Sequence, residues 1–118
     1  MNLANPSSAM RLLAAFLLAI LVVNLLYHGQ QPYAAGLVRP PLDKVLHLVL
    51  FASVGTLLWI AAGARHFPMV IVMAVMLGLL DEIMQSFNPG RSADWSDLLA
   101  DTLGAGLGVL LCRRIARQ

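Results

Sequence analysis

This 118-residue chain has six carboxylates, and they fall into two short stretches. Asp43 stands beside Lys44, with His47 one helical turn on. Asp81 and Glu82 open a second stretch that continues through Gln85, Arg91, Asp94, Asp97 and Asp101. These residue types move protons and hold anions. His47 can donate or accept a proton near neutral pH. Glu82, beside Asp81 and partly desolvated, is suited to general acid or base work, and Asp43 and Asp81 join these two as candidate catalytic groups. Arg91 offers a planar two-pronged donor and Lys44 a point charge, the cationic contacts that a phosphate or carboxylate head group needs. Gln85, Asp94, Asp97 and Asp101 complete the candidate binding set. The three aspartates could orient His47 or Lys44, or hold a hard divalent cation that bridges phosphate oxygens. Ser86, Ser92 and Ser96 lie close by, but none sits in a nucleophile-elbow motif. Activated water, His47 or a bound acceptor all stay open as the attacking group.

The elements that must position these groups are apolar. Hydrophobic residues make up 59% of the chain and charged residues 12%, about half the charged share of ordinary soluble domains. An integral membrane protein follows, because a small soluble domain needs more polar surface than this. The net charge of +2 is too small and too confined to the ends to point to nucleic acid. The single Cys112 excludes an internal disulfide and is expected to be a packing residue.

Four apolar segments predict an all-α, polytopic membrane helical bundle in a single domain, with helices over about 12–27, 45–64, 67–87 and 98–112. A spanning helix wants about 20 residues, so the second and third fit, and the first and fourth look short. Pro68 suits a first helical turn, and Asn88-Pro89-Gly90 ends the third segment. Arg11 before a short apolar run resembles a secretory signal, but no small-x-small cleavage site follows before Tyr27, which favours an uncleaved helix. His28 and His66 are expected in loops, and Met69, Met73 and Met76 in helix packing. Trp95 suits an interfacial belt, while Trp59 falls deeper.

With the N-terminus inside, the cytoplasmic segments hold Arg11, Arg65, Arg113, Arg114 and Arg117, and the other side holds Arg39, Lys44 and Arg91. The bias predicts both termini cytoplasmic. Both polar stretches then share the extracytoplasmic face. Helical spacing of three and four residues puts Asp43, Lys44 and His47 on one face, Asp81, Glu82 and Gln85 on another, and Asp94, Asp97 and Asp101 on a third. Charge facing lipid is costly, so three helix ends should converge on one polar pocket.

The residues Asp43-Lys44-Val45-Leu46-His47 with Phe51, and Asp81-Glu82-Ile83-Met84-Gln85 with Pro89-Gly90-Arg91, Asp94 and Asp97, resemble the two signatures of VanZ-like membrane proteins. Gly104 and Gly108 fit the family's glycine-rich closing helix, so the resemblance covers about 43–108. Asp101 departs from it, standing where the family often has Asn. The family takes its name from a protein linked to teicoplanin resistance, and has been grouped with proteins proposed to act on phosphate-bearing lipid head groups. The resemblance implies a location in the bacterial cytoplasmic membrane, with a membrane lipid or lipid-linked cell-envelope precursor as partner.

Plainer roles stand beside these. Asp43, Lys44 and His47 could cap a helix. Asp81 and Glu82 could form a structural lock with Arg91 and Lys44. Asp94 and Asp97 could serve only a helix N-terminus. Gly104 and Gly108 allow close helix contact, within the bundle or across an oligomer. A lipid-head-group hydrolase or transferase is the leading expectation. A binding protein for a lipid or antibiotic target, without chemistry, is the alternative, followed by a structural membrane subunit.

Overall fold

The computed structural model describes residues 1–118. Four helices run in order: α1 (Ser8–Gly29), α2 (Leu42–Ala61), α3 (Phe67–Ser86) and α4 (Trp95–Ala116), with a single 3-10 turn at Pro32–Ala34 and no strand. They contain 22, 20, 20 and 22 residues. At 1.5 Å per residue each is about 30 Å long, close to the hydrocarbon thickness of a bilayer. α1, α2 and α3 are long and apolar enough to cross a membrane. α4 is long enough, but it carries Asp97, Asp101, Arg113 and Arg114.

Local chemistry moves the boundaries of three of the four expected helices. Ser7 caps α1 by accepting from the Met10 N–H at 3.3 Å, so the helix starts before the apolar run and takes in Arg11. It also runs through His28, which therefore lies in the last turn of a helix and not in a loop. Asp94 caps α4, accepting from the Ser96 N–H at 2.9 Å, and the helix continues past Cys112 to Ala116. Neither helix is short. α2 is shifted back by three residues: it starts at Leu42 and stops at Ala61. The turn beyond uses Gly63, Ala64 and His66 at φ of +76°, +58° and +59°, a left-handed stretch that no helix can include. α3 matches its expected span within one residue, with Pro68 in the first turn.

The closest packing joins α2 to α4, and it depends on missing side chains. A Cβ on Gly55 would sit 2.7 Å from the Ala105 Cα, and Cβ atoms on Gly104 and Gly108 would overlap the Leu48 and Ala52 carbonyls. The use of Gly104 and Gly108 seen here is thus within the chain. Around this seam Phe51, Val54, Leu58, Val70, Ala74, Ala105 and Val109 form the core. Only Ala14 of α1 is buried, and Leu12, Phe16 and Val23 face outward. Met69, Met73 and Met76 are also on the outer face, so they do not pack the bundle interior.

The result inverts a soluble protein: Asp81, Glu82, Gln85, Asp97 and Asp101 are buried while more than two dozen large apolar side chains are exposed. Only a hydrocarbon surrounding makes that distribution favourable. The Arg11 Nε donates to the Ala61 carbonyl at 3.1 Å, and Arg113 lies 5.8 Å over Trp59 and 5.4 Å over Phe67. Both chain ends therefore share one end of the bundle, and the acidic residues occupy the other.

Candidate functional site

The first two turns of α2 lie against the first two turns of α4. There Lys44 Nζ donates to Asp94 Oδ2 at 2.7 Å and to Asp97 Oδ1, and pairs with Asp43 Oδ2 at 3.1 Å. One turn deeper, His47 Nδ1 is 2.7 Å from Asp101 Oδ1, and His47 Nε2 is 3.7 Å from Asp97 Oδ2. Asp101 is fully buried. Gly78 of α3 makes room for it, since a Cβ there would meet Asp101 Oδ2 at 2.9 Å. The i, i+4 spacing of Asp97 and Asp101 thus matches the i, i+3 spacing of Lys44 and His47 across the helix pair.

The end of α3 supplies the second wall. Gln85 Nε2 donates to Asp81 Oδ2 at 2.8 Å. Glu82 Oε2 accepts from the Asp94 backbone N–H at 2.8 Å, while its Oε1 is buried without a partner. Arg91 donates from Nη2 to Gln85 Oε1 and from Nη1 to the Gly29 carbonyl, both at 2.8 Å. The lock of Asp81 and Glu82 with Arg91 and Lys44, the plainer alternative for these acids, is not formed: Arg91 bonds neutral oxygens, and Lys44 is taken by Asp43, Asp94 and Asp97. Asp94, outside the spanning segments, has its carboxyl pushed down to about 2 by the hydrogen bond from Lys44 and those from Ser96.

A fourth helix end joins the expected three. Gln30, just past α1, donates to Asp81 Oδ1 at 3.5 Å and accepts from Asn88 Nδ2, and Gly29 holds Arg91. His28 bonds the Tyr33 hydroxyl beside them. Gln30, Asn88 and the Gly29 carbonyl escaped the sequence analysis. An amide or a carbonyl carries no charge pattern, and only the return of α1 to the other helices reveals its use.

These parts enclose a cavity of about 550 Å³. Its polar wall includes Asp43, His47, Asp81, Gln85, Arg91 and Asp97, and its apolar wall Leu21, Leu25, Leu46 and Leu50. Of the ten candidate residues, Lys44, Glu82, Asp94 and Asp101 do not line it. Lys44, expected as a head-group contact, is occupied by three carboxylates instead. Ser92 lines the cavity, whereas the Ser86 hydroxyl bonds the Ile83 carbonyl at 2.6 Å and that of Ser96 bonds Asp94 at 2.6 Å. His47, Glu82 and Asp97 each bring one potential ligand atom within 4.8 Å of the others. That trio differs from Asp94, Asp97 and Asp101, for which holding a cation stands beside orienting His47 or Lys44 as an alternative.

The chain is 34% identical over 98 residues to an uncharacterized protein of Schizosaccharomyces pombe, a match that covers 80% of this chain and 60% of that relative. The matched region thus falls short of two thirds of the relative's length, and the relative's fungal origin leaves the bacterial location unsupported by this comparison. No solved structure matches. The VanZ/LLP1 family model matches residues 3–117, almost the whole chain and well beyond the 43–108 of the quoted motifs, and the chain belongs to that family.

Proposed function

We propose that the protein binds the head group of a membrane lipid or lipid-linked cell-envelope precursor in the cavity at the acidic end of the bundle, and hydrolyses or transfers it. One observation carries this proposal: a single cavity joins a wall of ionisable groups to a wall of leucines, the two chemistries that one lipid presents. Arg91 is the head-group contact. Its plane is fixed by Gly29 and Gln85 through two of its roughly five donors, which leaves the others for a phosphate or carboxylate. His47, with Nδ1 held by Asp101, has Nε2 available for proton transfer, and Asp81 faces the same space. The proposed location is the bacterial cytoplasmic membrane, with the cavity extracytoplasmic. The excess of arginine at the end that holds the termini supports this sidedness.

A binding role without chemistry draws on one fact: the Ser86 hydroxyl donates to the Ile83 carbonyl and that of Ser96 to the Asp94 cap carboxylate, and neither serine lines the cavity. Native mass spectrometry of the purified protein separates these ideas from a purely structural role. A co-purifying lipid is expected, with retention lowered about tenfold or more in Arg91→Ala, the loss of a charge-assisted contact. A lipid-free protein, or retention indifferent to Arg91, would contradict the head-group proposal.

A further inference from the structure

All six carboxylates of the chain gather at this end with three fixed cations, of which Arg39 is exposed and only Lys44 and Arg91 bond into the cluster. Such an imbalance in a partly dehydrated place calls for another positive charge. Acidity alone does not say where it would sit; unpaired oxygens and converging ligand atoms together do. Asp43 Oδ1, Asp101 Oδ2 and Glu82 Oε1 are all buried without a partner. Of these three residues only Glu82, itself 2% exposed with Oε2 on a backbone N–H, brings a ligand atom within 4.8 Å of those of His47 and Asp97. A buried carboxylate oxygen left unpaired is costly, and native structures rarely leave one without a reason.

Two further geometric facts converge on the same point. The separation of 3.7 Å between His47 Nε2 and Asp97 Oδ2 is too long for a hydrogen bond. It is close to the roughly 3.4 Å between neighbouring ligands on an ion bound at about 2.1 Å. Meanwhile Asp101 holds His47 Nδ1, which leaves the lone pair on Nε2; a carboxylate behind a ligating imidazole is the usual outer support of a metal site. The other oxygen of Asp97 stays with Lys44, whose charge Asp43 and Asp94 also share.

We propose that His47, Glu82 and Asp97 bind one divalent transition-metal cation of the zinc or manganese kind. One imidazole nitrogen with two carboxylates suits these ions better than calcium or magnesium, which prefer oxygen throughout. Three protein ligands leave coordination positions open, and His47 and Asp97 line the cavity. This deepens the head-group proposal and rests on it for its purpose, since a cation there can receive an anionic head group that the surrounding acids repel. It also reassigns His47 from base to ligand, so proton transfer passes to Asp81, a buried acid on the same wall and outside the trio.

Metal content tests the site without any appeal to turnover. The full chain, purified in detergent and stripped with a chelator, is equilibrated with zinc or manganese, freed of unbound ion and analysed by elemental mass spectrometry. Wild type should retain about one ion per chain, Glu82→Gln and Asp97→Asn a tenth or less, and Asp101→Asn should bind about 10–100-fold more weakly as an outer support. Asp81→Asn, also acidic and buried but outside the trio, should retain wild-type stoichiometry. Wild type without metal, or loss in Asp81→Asn equal to that in Glu82→Gln, would overturn the assignment. Should the trio variants fold poorly, cobalt-loaded wild type still decides: a visible absorption band displaced by zinc supports the site, and no band overturns it. Metal bound by a protein that retains no lipid would leave this site standing and remove only the head-group proposal.

Discussion

At the scale of single residues, Asp94 shows how closely structure and site are joined. It caps α4, pairs with Lys44 and donates its backbone N–H to Glu82. Its folded carboxyl titrates at about 2 against an ordinary 3.8. The folded state therefore binds this proton less readily than the unfolded chain, and its stabilising effect is complete above about pH 4 and lost as pH falls towards 2. Asp94→Ala should lower stability at pH 7 by about 1 kcal/mol, chiefly the lost cap, and narrow the gap from wild type near pH 2. Thermal unfolding in detergent at several pH values measures both; a gap that widens in acid would contradict the pairing. Much of this was legible in the sequence, because Asp43, Lys44 and His47 must share a helical face with matched acids opposite. Which acid each would take was not. The pairing of Lys44 with Asp97 and of His47 with Asp101 depends on the vertical register of α2 on α4, and sequence spacing fixes only the intervals.

That register belongs to the elements, and glycine sets it. Gly55, Gly104 and Gly108 let the α2 and α4 backbones touch, so that Lys44 and His47 arrive level with Asp97 and Asp101. Gly104→Ala should destabilise the bundle by about 2–3 kcal/mol, because the new Cβ meets the Leu48 backbone and no flexible side chain can yield. Gly106, one turn face away, has nothing within 4 Å of its Cβ position. Gly106→Ala should be neutral or stabilising by up to about 1 kcal/mol through helix propensity. Equal melting temperatures for the two variants would refute this account of the packing. The sequence showed the small-residue spacing, but not the three helix boundaries. Those depend on Ser7 and Asp94 as caps and on the left-handed turn at Gly63–His66, signals that lie outside the apolar runs themselves.

The whole molecule places charge inside, leucine outside, and both chain ends opposite the acidic cavity. Its all-helical, membrane-spanning character was legible from composition, since 12% charge confined to short clusters leaves few alternatives. The part played by the end of α1 was not, because Gln30 and the Gly29 carbonyl gain meaning only once the helix folds back against Asp81 and Arg91. The arrangement predicts that cysteines placed at Leu37 and Gln118, in a Cys112→Ser background, react with an impermeant maleimide from opposite sides of the membrane. The arginine bias predicts that Leu37→Cys is the extracytoplasmic one; labelling of both from one side would contradict the topology. The central claim, head-group chemistry at the cavity, is tested most directly by comparative lipid mass spectrometry of membranes carrying wild type or His47→Gln at matched levels. A lipid or lipid-linked species that appears or disappears only with wild type is the predicted result, and identical profiles would contradict it.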